Sequence, residues 1–176
     1  MIVAAGRFVE QKDFATLIAA FAVVSNTRAA RLLLLGDGPL RTALADLGRS
    51  LGISDRIDMP GFCSNPLPYM RAAAAVVLSS RFEGFGMVLA EALACGTPVV
   101  STDCPYGPAE ILERGRFGRL TPVGDAQALG EAILATLEAP PARGVLAKRG
   151  NEFSVATAAD RYLALLQEVV SPRPTP

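Results

Sequence analysis

The chain has 176 residues, 51% hydrophobic and 19% charged, which suits a single domain with a sizeable core. Lys and Arg number 17, as do Asp and Glu, so no net field draws it to nucleic acid or to an anionic membrane. Histidine is absent, which excludes a Ser-His-Asp relay, a Cys-His pair and a histidine metal site within these residues. Acid–base work must then fall to carboxylates, to a substrate or to a residue from another chain. Cys63, Cys95 and Cys104 are an odd number at no metal-ligand spacing, no apolar run reaches bilayer length, and Met1 to Gly6 lacks the basic region of a signal peptide. The expected compartment is therefore reducing, the cytoplasm.

Ile2 to Ala5 reads as a first strand that starts without any lead-in, as in a piece cut from a longer protein. Gly6 to Lys12 follows as a loop carrying the cations Arg7 and Lys12. Asp13 is then the N-cap of a helix with Leu17, Ile18, Phe21 and Val24 at core spacing. Arg31 to Leu35 is a second strand, and Gly36-Asp37-Gly38-Pro39 a turn in which Pro39 suits the first turn of a helix bearing Leu40, Leu44, Leu47 and Leu51. Arg56 to Met59 is a short third strand ended by Pro60-Gly61-Phe62, and Leu67 to Ala73 a brief helix.

Ala74 to Leu78 and Val99 to Thr102 are further strands, joined by the segment around which the chain is organised: Ser79-Ser80-Arg81-Phe82-Glu83-Gly84-Phe85-Gly86, then helix formers from Met87 to Ala94. Apolar runs on both sides imply strands buried on two faces, hence a parallel crossover unit. The N–H groups from about Gly86 to Leu89 then point outward with the positive end of the helix dipole, an anion site that Gly84 and Gly86 leave sterically open. Glu91 is the single charge between Met87 and Thr97, and a carboxylate in an apolar helix needs donors, from a ligand's hydroxyls or from the protein. Beyond the fifth strand, Pro108 opens a short helix and Gly118 to Thr121 is a sixth strand. Asp125 caps a helix with Leu129, Ile133, Leu134 and Leu137, and Ser154 opens a last one bearing Tyr162, Leu165, Leu166 and Val169. Ser171 to Pro176 reads as a disordered tail.

Six strands alternating with helices make an α/β fold, a doubly wound, parallel, six-stranded Rossmann-like sheet in the order 3-2-1-4-5-6. That order places the loop after strand one, with Arg7 and Lys12, beside the loop after strand four, with Glu83, Gly84 and Gly86. Two cations facing a helix N-terminus suit a di- or polyanion, and a nearby carboxylate suits sugar hydroxyls, so a nucleoside diphosphate is the simplest ligand that uses all the parts.

These residues resemble the donor-binding, C-terminal half of retaining two-domain glycosyltransferases of the GT-B type, the group that includes sucrose synthase, glycogen synthase relatives and bacterial mannosyl- and glucosyltransferases. Gly6-Arg7 with Lys12, Gly36-Asp37-Gly38-Pro39, Glu83-Gly84-Phe85-Gly86 through Glu91, and Ala94-Cys95-Gly96-Thr97-Pro98-Val99-Val100 match in order and spacing, over roughly residues 1–170. The resemblance implies that Arg7 and Lys12 grip the donor pyrophosphate and neutralise charge on the leaving group, and that Glu83 lies at the transferred sugar. It makes Glu83, Arg7 and Lys12 the catalytic group. Gly6 and the stretch Gly84, Phe85, Gly86, Met87, Val88 and Leu89 would bind sugar and phosphate, Glu91 the ribose, and Met59, Gly61 and Phe62 the base. The donor would be a UDP- or GDP-sugar, with no metal and no other cofactor, and transfer would retain anomeric configuration without an enzyme nucleophile.

The resemblance also implies an N-terminal acceptor domain, missing here, that would complete the active site and mediate any peripheral membrane association. The helix 154–170 would be a crossover-type helix whose apolar face packs loosely or against a second copy. Tyr106-Gly107-Pro108-Ala109-Glu110 stands where the family more often has a glycine pair, which stiffens a loop near the sugar; Glu110 either points to that sugar or favours its helix N-terminus through the dipole. Two other readings remain open: a free-standing nucleotide or nucleotide-sugar binding module, and part of a nucleotide-sugar epimerase.

Overall fold

The computed structural model describes residues 1–170, so the tail 171–176 lies outside the described residues. Six parallel strands, β1 (Ile2–Ala5), β2 (Leu32–Leu35), β3 (Ile57–Gly61), β4 (Ala75–Leu78), β5 (Val99–Thr102) and β6 (Arg119–Thr121), form one sheet in the order β3-β2-β1-β4-β5-β6. The pattern is the expected one, and the switch point falls between β1 and β4, where Ile2 pairs with Ala75 and Val3 with Val76.

Alternation along the strands divides the core. Ile2, Ala4, Leu32, Leu34, Val77 and Val100 face one side, under α1 (Phe14–Thr27), α2 (Arg41–Ser50) and α6 (Ala126–Glu138). Val3, Leu33, Leu35, Val76, Leu78 and Val99 face the other, under α3 (Leu67–Ala72), α4 (Met87–Ala94), α5 (Pro108–Ile111) and α7 (Arg143–Asn151). The central strands β1, β2, β4 and β5 are buried on both faces, which is why β2 is uninterrupted leucine rather than an alternating pattern, while the edge strands β3 and β6 are partly exposed.

The expected caps form: Asp13 accepts the Thr16 N–H at 3.3 Å and Asp125 that of Ala128 at 2.9 Å. Apart from ends shifted by one residue, two boundaries and one helix differ from the sequence reading. Strand β3 runs on through Pro60 and Gly61, because it is an edge strand and the missing N–H of Pro60 is tolerated there. Helix α2 begins at Arg41, and Pro39 lies in the turn before it. Helix α7 has no counterpart in the periodicity analysis. It buries only Leu146 and Gly150, and a Cβ on Gly150 would stand 2.1 Å from the Ala94 nitrogen, so a residue that reads as a breaker is required for its contact with α4.

The last helix, α8 (Val155–Val170), opens as expected, with Ser154 Oγ accepting the Thr157 N–H at 3.2 Å. None of its residues is buried, and Val155, Tyr162, Leu165, Leu166 and Val169 are all exposed.

Candidate functional site at the β1–β4 switch point

The loops after β1 and β4 are bonded directly to each other. Gln11 Nε2 donates to the Phe82 carbonyl at 3.0 Å, the Arg81 N–H to the Gln11 carbonyl at 2.8 Å, and Ser79 Oγ to the Lys12 carbonyl at 2.8 Å. Arg81 Nε reaches the Asp13 carboxylate at 3.1 Å. Asp13 sits at φ +45°, a left-handed conformation uncommon for a non-glycine residue, and its two oxygens respectively cap α1 and hold Arg81.

Within this frame Lys12 Nζ lies 2.6 Å from Glu83 Oε1, and the same oxygen accepts the Ser80 hydroxyl at 2.6 Å. The Glu83 side chain is 7% exposed and that of Lys12 20%. Glu83 is thus buried with a cation and a hydroxyl donating to the same oxygen, which offsets the cost of burying a carboxylate. Only one Lys12 ammonium hydrogen is engaged, and the second carboxylate oxygen of Glu83 has no partner among the described residues. Arg7 is exposed and makes no ion pair among the described residues. The two cations read from the sequence thus differ: Lys12 is tied to the β4 loop, and Arg7 is free.

Gly86, at φ +89°, is the N-cap of α4 and turns the chain into the helix. The N–H groups of Gly84, Phe85, Gly86, Met87 and Val88 have no backbone acceptor among the described residues. Leu89 departs from expectation: its N–H is donated to the Gly86 carbonyl at 2.9 Å, and its side chain is fully buried in the core. Glu91 is half-buried rather than enclosed, with no hydrogen-bond partner among the described residues. Burial raises its pKa above the ordinary 4.5.

Beside this turn lies a cavity of about 370 Å³ lined by Gly6, Arg7, Gly36, Asp37, Phe62, Cys63 and Val88, among others. The topology thus gathers Gly6, Arg7, Phe62 and Val88 in one place. Gly61 adjoins them through its carbonyl, which accepts the Gly36 N–H at 2.9 Å. Met59 is set apart: it lines a separate cavity of about 280 Å³ with Arg41 and Ala45, and its carbonyl accepts Arg41 NH2 at 2.6 Å. The Met59 side chain packs against the core on the α1, α2 and α6 side of the sheet, away from the cavity that Phe62 lines.

The sequence of residues 1–139 matches the model of the family described as "Glycosyl transferases group 1". The chain belongs to that family. Among its group 1 relatives, the lipopolysaccharide core biosynthesis glycosyltransferase LpsE of Rhizobium meliloti is 38% identical over 171 residues, 94% of this chain and 49% of the relative. LpsD of the same organism is 33% identical over 178 residues, 98% of this chain and 51% of that protein. The chain therefore spans about half the length of these curated relatives.

Among solved structures, Anabaena HepE in complex with UDP superposes with a TM-score of 0.82 at 27% identity, over 95% of this chain and 48% of that one. Sucrose-phosphate synthase from Thermosynechococcus elongatus gives 0.79 at 31%, over 96% and 45%. The fold is accordingly one Rossmann-like half of the GT-B architecture.

Some members of this site are invisible to sequence reasoning. The Asp13–Arg81 pair joins residues 68 apart, and Ser80, three residues before Glu83, lies in an irregular loop where no periodic pattern marks its contact. Asp37 was legible as part of the Gly-Asp-Gly turn, and it lines the cavity beside the β1 loop together with Gly6 and Arg7. Cys104 is buried, and burial, then the nearby Glu83 charge, raises its pKa, so it stays a thiol. Glu110 is exposed, and its carbonyl accepts Arg149 NH2 at 2.8 Å. No helix among the described residues is long and apolar enough to cross a membrane.

Proposed function

We propose that the chain is the donor-binding half of a retaining glycosyltransferase, which transfers a hexose from a UDP- or GDP-sugar to a glycan or glycolipid acceptor in the cytoplasm. The observation that carries this reading is the junction of Lys12 and Glu83, 2.6 Å apart, beside the open N-terminus of α4 and the cavity lined by Arg7. The switch point of a doubly wound sheet is where such folds bind ligands, and this one offers a cation, a carboxylate and free N–H groups together.

In the proposed complex Arg7 and the unused hydrogens of Lys12 hold the pyrophosphate, with the N–H groups of Gly84 to Val88 completing its cradle. Glu83, anchored by Lys12 and Ser80, keeps its second oxygen for the sugar. Glu91 takes hydrogen bonds from the ribose hydroxyls, which would answer the lack of donors around it. Gly61 and Phe62 border the base. The C1–O bond to phosphate breaks while the acceptor oxygen bonds C1 from the same face, and the departing nucleoside diphosphate carries away the acceptor's proton. Arg7 and Lys12 stabilise the charge that grows on that leaving group, and no metal is called for. A second domain, supplying the acceptor site, would complete the enzyme.

Titration calorimetry with UDP, GDP and ADP tests this reading. One nucleotide should bind, and both Glu91→Ala and the Arg7→Ala, Lys12→Ala pair should weaken it by roughly tenfold or more, since each removes charge-assisted hydrogen bonds. Unchanged affinity in both variants would refute the assignment.

A further inference from the structure

Four non-glycine residues hold a positive φ among the described residues: Asp13, Tyr106, Glu113 and Arg114. Three have a visible structural reason. Asp13 caps α1 and pairs with Arg81, Glu113 pairs with Arg149 and Arg116, and the Arg114 N–H closes the end of α5 on the Ala109 carbonyl at 2.8 Å. Tyr106, at φ +62°, has none: it makes no hydrogen bond and no ring contact among the described residues and is 78% exposed. A left-handed backbone at an exposed residue whose own side chain makes no contact points to a ligand as the reason for the side chain.

What holds Tyr106 is its neighbours. Pro105 accepts the Glu83 N–H at 3.3 Å, and Gly107 lies so close to the next loop that a Cβ would stand 1.7 Å from the Phe85 carbonyl oxygen. Pro105 fixes its own φ, and Pro108 restricts the residue before it, so the loop has little freedom to relax. The backbone on both sides of Tyr106 is thereby held against the segment from Glu83 to Phe85. A tyrosine presents an apolar face with a polar tip, and a pyranose has an apolar C–H face rimmed by hydroxyls, so the two surfaces are complementary.

We infer that Tyr106 is a specificity-determining residue that stacks on the hexose ring seated at Glu83. This rests on the donor reading above and extends it to the sugar subsite.

The test is calorimetric titration of the parent chain, Tyr106→Phe and Tyr106→Gly with UDP, GDP, UDP-glucose, UDP-galactose and GDP-mannose, alongside thermal melts. Tyr106→Gly should bind the free nucleotide within twofold of the parent. Its affinity for the matching nucleotide-sugar should fall by about 3- to 10-fold, the worth of an aromatic stacking contact. Tyr106→Phe should restore the parent value, and Tyr106→Gly should melt no lower than the parent, because glycine adopts this conformation without strain. An unchanged nucleotide-sugar affinity in Tyr106→Gly overturns the inference while leaving the donor reading standing. A melt lowered by more than about 4 °C, roughly 1–2 kcal/mol for a chain of this size, makes Tyr106 a structural residue and also overturns it. Absence of any nucleotide binding by the parent refutes both.

Discussion

Replacing Lys12 by methionine keeps an unbranched stem of similar reach and removes only the charge that faces Glu83. The carboxylate would then remain 7% exposed with the Ser80 hydroxyl as its one donor. Removing one partner of a fully buried pair costs about 3–5 kcal/mol. Lys12 keeps 20% exposure and water can reach the vacated position, so the loss here is discounted to about 2–3 kcal/mol. For a chain of this size that lowers Tm by roughly 4–12 °C. In the Lys12→Met, Glu83→Gln double variant no charge is left buried, and urea denaturation should recover at least about 1.5 kcal/mol of that loss, a coupling energy within the range measured for contacting residues. A cost below about 0.5 kcal/mol for Lys12→Met, with no recovery in the double variant, would class the pair with solvent-screened surface bridges and refute the reasoning.

Burial raises the Glu91 pKa in the folded chain above its ordinary 4.5, so the folded state holds the proton more tightly than the unfolded one. The sign follows: the group lowers stability once pH rises above the unfolded value, and the penalty is complete only above the folded one. Glu91→Gln should thus be more stable than the parent at neutral pH, with the difference fading at and below about pH 4 in denaturation curves collected across pH. Gly107→Ala should destabilise by about 3 kcal/mol or more, or express as insoluble protein, because a Cβ there meets the Phe85 oxygen at 1.7 Å with φ at +89°. Arg149, whose side chain is 10% exposed, donates to the carbonyls of Glu110 and Ile111, pairs with Glu113 and Glu152, and lies over the rings of Phe117 and Phe153. Arg149→Met should cost about 3 kcal/mol in chemical denaturation, since those carbonyls and carboxylates lose a shared donor and methionine replaces only the packing.

The sheet order and the location of the site were legible in the sequence because both follow from short-range signals. Apolar runs of strand length, helices with regular core spacing and glycine-bearing turns define a doubly wound sheet, and the order of that sheet brings Arg7 and Lys12 beside Glu83 and Gly86 before any coordinate is known. Asp13, Asp125 and Ser154 were legible as helix starts for the same reason, since a cap bonds within its own first turn. Helix α7 was not, because its stability comes from close contact with α4 through Gly150, and a residue chosen for absence of a side chain leaves no periodic mark. Met59 and Phe62 read alike as bordering the site, but residues three apart on and beyond a strand end can lie on different sides of it, and the structure separates them into two cavities.

By itself, then, the sequence determined which charges and glycines stand at the carboxyl end of the sheet, since local pattern and strand order suffice for that. Only the tertiary structure decided which of those groups are free. It pairs Lys12 with Glu83 and leaves Arg7 unpaired among the described residues, gives the Leu89 N–H to Gly86, and holds Tyr106 at a positive φ. The pairing of Lys12 with Glu83 brings atoms from residues 71 apart to within 2.6 Å, a scale at which hydrogen bonds and ion pairs form or fail and that no spacing in the sequence encodes.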